Sequence, residues 1–520
     1  MHEILTLQFG QQANYLGTHY WNTQESYFTY TGEDESPVDH DVSFRPGIGA
    51  DGGETYTPRA VIYDLKGAFG TLRRENALYE LQQQENPASD RQWSGRTDSL
   101  RLPPIDPSPY QVALDAGLEP PALSSESVRF WSDYNRVFYH PRSIIQLNEY
   151  ELNSSLMPFE QWSTGEDLFS ALDREHDLLD RDLRPFLEEC DQLQGVQVFS
   201  GTDNAWGGFA SKYLERINDE LGKGCRWMFG LSDTQRTARD RQGQRLANTA
   251  QSLYALDSFA SLHIPVQNVP SWLPDYVSLD AASPWSTSAL QAAAIESVTL
   301  PTRLRMTQSG RATFDTFETT LNGDGNRRIA AFSFSVKIDT GVDGQDSAPN
   351  GDRRMTNGTN ADEEDHAKEE DQLDVELFPH FSLPNPSDRN RRPARRPHVF
   401  SRVSSLRGTW LSAADEDYND PEVRRRQANG PRSSIYRTSL RFPMLTSFPP
   451  VLRFQGEPQA LAVQTSLYTF TDISNCLRTI GSVARRMSSI DEREVLYDGL
   501  SAMADEYEEG WMSDSEEDED

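Results

Sequence analysis

The opening stretch, MHEILTLQFGQQANYLGTHYWNTQESYF, constrains the fold more than any other part of the chain. Ile4, Leu5, Leu7 and Phe9 read as a short buried strand, Gly10 as a tight turn, and the residues after it as a helix that begins with amides. α/β proteins build phosphate cradles this way. Glycine lets the backbone come close, and the unpaired N–H groups of the first helical turn point at an anion. Gly10, Gln11 and Gln12 are therefore one half of a candidate nucleotide site. Strand–turn–helix units are common, so the question is whether the rest of the chain completes the site.

The second element is PRAVIYDLKGAFGTL. Ala60, Val61, Ile62 and Tyr63 read as a buried strand with Asp64 at its C-terminal end. Ligands of open α/β sheets bind at that edge. An acid there could serve magnesium or a ribose, or cap the following turn. Further on, the leucines of residues 164–190 fall at helical steps, with Pro185 expected to divide the helix. The strand Val196, Val198, Phe199 then leads through SGTDNAWGG into a helix with Phe209, Tyr213, Ile217 and Leu221 on one face. This second strand–loop–helix is the natural other half of the site. The alternation predicts a doubly wound α/β domain over 1–230.

Around these elements lie segments of different character. Residues 82–126 are rich in Gln, Pro, Ser and Asp and read as an irregular insertion. The aromatics Phe130, Trp131, Tyr134, Phe138 and Tyr139 read as core. A second, α+β domain is expected over 231–500. Helical patterns dominate it to residue 300, and RLRMTQ, RIAAFSFSVKI, SLRFPMLTSFPPVLRF and ALAVQTSLYTF then read as strands. Two breaks, the acidic 339–376 and the arginine-rich 384–397, lack apolar side chains to bury and are expected to be disordered. Residues 501–520 read as an acidic tail, with Ser513 and Ser515 among its acids.

Charge narrows the functions. With 49 basic against 81 acidic residues the formal net charge is −32, which argues against direct nucleic-acid binding and for basic partners. Cys190, Cys225 and Cys476 are odd in number and widely spaced, which suits a reducing compartment and suggests no metal site. No stretch approaches a transmembrane helix. The N-terminal apolar run is too short for a secretory leader, so an uncleaved chain facing the cytosol is expected, with peripheral membrane contact allowed.

These residues carry a resemblance. MHEILTLQFGQQANYLGTHYW is similar to the opening of tubulins, including a GQ-x-x-N turn at Gly10, Gln11 and Asn14. PRAVIYDLKG and LQGVQVFS are similar to two further tubulin strands, and WSDYNRVFYHPRSIIQL resembles the Misato family of divergent tubulin relatives, in a fungal-type form. The resemblance implies nucleotide contacts at Gly10, Gln11, Gln12, Asn14, Asp64 and Gly208. The departures point the other way. Where tubulins carry a glycine-rich phosphate loop, this chain has Thr202, Asp203, Asn204, Ala205, Trp206, Gly207 and Gly208, of which only Gly208 matches. Asp203 brings the wrong charge and Trp206 a bulky ring. The family's magnesium-holding acid falls on Lys66, which cannot ligate a hard cation. The helix matched to the one that supplies a hydrolytic acid to the next subunit has no Asp or Glu between Ser283 and Ile295.

The reading expected from sequence is thus a non-enzymatic, tubulin-like protein without a bound cofactor. The resemblance implies roles in mitochondrial distribution, morphology and DNA inheritance, at the cytosolic face of the mitochondrion and in the cytoplasm. It also implies partners at that surface or in the cytoskeleton, including the cytosolic chaperonin. A GTP-binding filament former and a chaperonin-linked assembly adaptor are the alternatives.

Overall fold

The computed structural model describes residues 2–29, 35–48, 54–72, 105–235, 237–336, 374–379, 397–408, 431–453, 459–487 and 493–508. The opening strand, β1 (Glu3–Phe9), is followed by helix α1 (Gln11–Glu25). An antiparallel pair, β2 (Phe44–Ile48) and β3 (Glu54–Pro58), precedes β4 (Ala60–Lys66). After the short helix α2 (Pro109–Asp115) come β5 (Ile144–Glu151), α3 (Trp162–His176), β6 (Leu193–Gly201), α4 (Ala205–Leu221), β7 (Cys225–Ser232), α5 (Arg239–Phe259) and β8 (Leu262–Gln267). Six of these strands form one sheet in the order β5-β4-β1-β6-β7-β8, every pairing parallel. Numbered along the chain within the sheet, that is the doubly wound 3-2-1-4-5-6 order, whose switch point lies between β1 and β6.

The alternation in β1 explains the layers. Leu5, Leu7 and Phe9 pack on one face with Phe169 of α3 and with Phe209 and Tyr213 of α4. Ile4 faces the other side, toward α1, where Tyr20 and Trp21 are buried. The aromatic segment closes this side: Trp131 and Tyr134 are fully buried and Tyr139 nearly so, as the sequence suggested. The Tyr134 hydroxyl donates to the Tyr15 carbonyl of α1 at 2.8 Å.

A central helix, α6 (Pro284–Thr299), joins the first sheet's layers to the second domain. Every residue from Trp285 to Thr299 is buried. A helix apolar on all sides must lie between layers. It packs on α1 and on a second sheet built from β9 (Ala331–Val336), β10 (Val375–Glu376), β11 (Val399–Arg407), β12 (Arg432–Thr438) and β15 (Val463–Phe470). The small pair β13 (Phe442–Pro443) and β14 (Ala460–Leu461) stands apart. Sheet order is β10-β9-β15-β11-β12. Helix α7 (Phe314–Leu321) precedes this sheet, and α8 (Asp472–Ala484) and α9 (Arg493–Asp505) follow it.

Several boundaries differ from the sequence-based expectation. The first sheet runs on to Gln267, past residue 230, because β7 and β8 complete it. Helical patterns were expected to dominate to residue 300, yet β8 is a strand that accommodates Pro265 because it lies at the sheet's edge. The insertion at 82–126 is not irregular throughout: Ser108 caps α2 by accepting from the Gln111 N–H, and Tyr110 and Gln111 are buried. RLRMTQ forms no strand beyond an isolated bridge at Leu304, and SLRFPMLTSFPPVLRF contributes only β13 and a bridge at Leu452. Residues 375–376 pair with β9, so the expected disorder to 376 ends too late; the rest of 339–373 and residues 384–396 lie outside the described residues. The tail begins later than 501. Helix α9 runs to Asp505, Tyr507 is 2% exposed, and its hydroxyl bonds the Ile329 backbone at 2.8 and 2.9 Å. Ser513 and Ser515 lie outside the described residues.

Candidate functional site

At the carboxyl edge of the first sheet, over the switch point, lies a cleft of about 470 Å³. Its floor comes from the two loops singled out in the sequence, after β1 and after β6. Gly10 has φ +84°, in the left-handed region, and caps α1 without any side-chain hydrogen bond, so the first amides of that helix stay open toward the cleft. Gln11 and Gln12 line the cleft beside them.

The second loop is a different object from a glycine-rich cradle. Trp206 is 7% exposed and its indole lies against Gly10: a Cβ added there would overlap the ring, with Cδ1 2.6 Å away. Phe159 and Phe209 hold the ring edge-on at centroid distances of 5.1 and 5.6 Å. The second amide of α4 is already taken, because Asn204 Oδ1 accepts from the Trp206 N–H at 2.9 Å. Asp203 is 5% exposed and turns inward, where its Oδ2 accepts from the Asp233 N–H at 2.9 Å. Burial pushes its carboxyl up to about 6. Asn248 of α5 braces the loop by donating to the Asp203 carbonyl at 2.9 Å.

Asp64 and Asn14 form a buried pair on the other side. Asn14 Nδ2 donates to Asp64 Oδ2 at 2.8 Å, and the Leu65 N–H to Oδ1 at 2.9 Å. Both side chains are fully buried, and Asp64 borders the cleft while Asn14 sits beneath it. Burial pushes the Asp64 carboxyl up to about 7, against the hydrogen bonds that favour its charged form. A carboxyl raised on folding stabilises the fold at low pH and loses that contribution as pH climbs from its unfolded value near 4 through 7. Asp64→Asn does not titrate. Its stability relative to the parent is therefore expected to improve from about pH 4 to about pH 7 and to level off above that in urea melts. A difference that stays flat with pH would mean that Asp64 is ionised throughout.

Two sequence-derived placements are corrected. Gly208 is not in the cleft. It lies where α4 crosses α3, and a Cβ there would strike the Trp162 carbonyl and come within 2.9 Å of Glu166 N. The helix matched to the one that supplies a hydrolytic acid to the next subunit is buried from Trp285 on, so its start is not presented outward. The next helix, α7, has an acid in its first turn, exposed Asp315. Lys66 is exposed at the end of β4 and does not border the cleft.

Residues that sequence reasoning passed over complete the cleft. Asp233 follows β7, and Arg245 of α5 pairs with it at 2.8 Å. The sign they expose would have been legible had RWMFGLS been recognised as the next parallel strand, since its loop must reach the same edge. The walls carry five carboxyls, Asp64, Glu151, Glu160, Asp203 and Asp233, against two cations, Arg241 and Arg245. Among the described residues no group of three or more His, Cys, Asp or Glu is placed to hold a metal ion. No helix among them is long and apolar enough to cross a membrane.

Comparison with known proteins places these features in context. Residues 2–116 match the Misato segment II tubulin-like domain, and residues 120–304 match a tubulin domain. The chain is 48% identical to protein dml1 of Aspergillus clavatus and 46% identical to protein dml-1 of Neurospora crassa, each alignment covering 100% of both chains. Protein dml1 of Schizosaccharomyces pombe is 35% identical over 65% of this chain and 73% of its own.

Proposed function

The chain belongs to the Misato family of tubulin-like proteins, and from that premise we propose that it is a non-enzymatic tubulin-like protein acting in the partitioning of mitochondria and the inheritance of their DNA. The observation that carries the non-enzymatic part is the Trp206 indole packed on Gly10, where a phosphate would have to approach the open amides of α1. Phosphoryl transfer depends on positioning and on a metal. Here the ring, the capped α4 terminus and a cleft with five carboxyls all oppose a polyphosphate. The mitochondrial part rests on the resemblance to the Misato family, as do a peripheral, cytosol-facing location and partners at the mitochondrial surface, in the cytoskeleton or in the chaperonin.

Two measurements test this reading. Natively purified protein is expected to carry no guanine nucleotide and to turn over none. A tagged copy is expected at mitochondria, and depletion is expected to disturb their network and DNA transmission. Unchanged mitochondria after depletion would refute the cellular role. A second reading, GTP-dependent assembly, draws on exposed Asp315 in the first turn of α7, an acid at the start of the helix after α6. Stoichiometric GTP in fresh protein, with turnover lost in Asp315→Asn, would establish it.

A further inference from the structure

The cleft at the switch point is open, polar and built for something, yet its charge is wrong for phosphate. Two of its carboxyls, Asp64 and Asp203, are buried, the first under hydrogen bonds from Asn14 and Leu65. Glu151 and Glu160 are exposed at the cleft, and the Glu160 carbonyl accepts from Asn248 of α5 at 2.7 Å. Asp233 is already matched by Arg245, and Arg241 is exposed. Setting the matched pair aside leaves four carboxyls and one arginine. Among them stand aromatic rings: Phe9, Tyr15, Phe159 and Trp206 all border the cleft. Carboxylates interleaved with aromatic faces attract organic cations twice over, by charge and by the ring quadrupole.

We propose that this cleft is a binding site for an organic cation, the ammonium or guanidinium group of a basic protein segment entering between the Glu151–Glu160 wall and Trp206. The proposal rests on the reading that the cleft does not hold nucleotide. Charge complementarity favours a chain of several cations over a single amine, because the carboxyls come from β4, the end of β5, the stretch before α3 and the loop after β6 rather than from one segment. The volume of about 470 Å³ accommodates one or two long basic side chains and excludes a folded element. The buried carboxyls gain most. Among the described residues no cation is placed to neutralise Asp64, and a cation brought close would favour the ionised form that burial now disfavours.

The test is calorimetric titration of the full-length protein with three probes: an Arg-Gly-Arg-Gly-Arg peptide, spermidine, and GTP with magnesium. The peptide is expected to bind with unit stoichiometry and to weaken as salt is raised. Glu151→Gln/Glu160→Gln, both exposed and therefore safe for folding, is expected to weaken it about tenfold. Glu494→Gln/Asp498→Asn, on the remote helix α9, is expected to leave it unchanged. Spermidine binding as tightly as the peptide would make the ligand a free polyamine and overturn the protein-segment assignment. Peptide binding at many sites, or binding indifferent to the Glu151/Glu160 pair, would reduce the effect to the overall charge of −32 and overturn the site. Absence of both peptide and GTP binding would overturn this inference alone. Stoichiometric GTP binding would overturn the non-nucleotide reading as well.

Discussion

Replacing Glu296 with alanine is expected to cost about 3–5 kcal/mol of folding stability, enough to unfold many domains. Glu296, Arg303 and Arg407 have fully buried side chains. Arg303 Nη2 donates to Glu296 Oε1 at 3.0 Å, and Arg407 Nη1 donates to Oε2. Gln24 of α1 and Tyr27, just past its end, donate to Oε1 at 3.1 and 3.2 Å, and Tyr20 accepts from Arg303 at 2.9 Å. Burial works against the Arg407 charge, but Glu296 and Tyr27 outweigh it and raise its pKa. One carboxylate thus holds two guanidinium groups in a dry site. Without it two like charges remain buried with no counter-ion, whereas Arg407→Met leaves a balanced pair. The alanine variant should therefore be the more damaging of the two in urea denaturation, and the double variant should recover part of the loss. A Glu296→Ala loss below about 1 kcal/mol would mean that water reaches the site and screens it.

The position of this triad explains why it was not legible beforehand. Its members come from α6, the turn after it and β11, and its neutral partners from α1 and the residues just after it, so it forms only once both domains are packed. In sequence, Glu296 is a single acid at the end of an alanine-rich helix and Arg407 a residue in a polar strand. Nothing local marks either. The first sheet was legible for the opposite reason. Ile4 to Phe9, Ala60 to Tyr63 and Val196 to Phe199 are central strands covered on both faces, so their apolar runs are continuous. Their C-terminal loops must then meet at one edge, which is why Gly10, Asp64 and Asp203 could be brought together from sequence alone. β8 was missed because Pro265 interrupts it, and the burial of α6 between layers was not read because an apolar helix carries no sign of which layers it separates. The orientation of Trp206 depends on Phe159 and Phe209, one of them more than forty residues away, and the sequence gives the ring's size but not its place.

Gly208 shows the same distinction and leads to the second large effect. As the one surviving match to a phosphate loop, it suggests a nucleotide contact, and its replacement would then lower affinity while leaving stability alone. The structure gives it another task. Gly208 of α4 and Gly165 of α3 face each other across a helix crossing so close that either Cβ would strike backbone. At Gly208 the obstacles are the Trp162 carbonyl and Glu166 N; at Gly165 they are the Ala205 carbonyl and Phe209 N, the last 2.9 Å away. Backbone cannot rotate aside as a side chain can, so the two helices must move apart. Both φ values lie outside the left-handed region, which leaves space as the only barrier. Gly165→Ala and Gly208→Ala are each expected to lose about 1–3 kcal/mol, the usual cost of overpacking. Their combination should cost less than the sum, because a single separation of α3 from α4 relieves both clashes. The shift would carry Trp206, two residues from Gly208 on the same helix, off Gly10 and raise its exposure, so tryptophan quenching by acrylamide should increase in step with the loss of stability. Additive losses, or a Gly208→Ala variant that melts with the parent, would remove Gly208 from the crossing and return it to the loop.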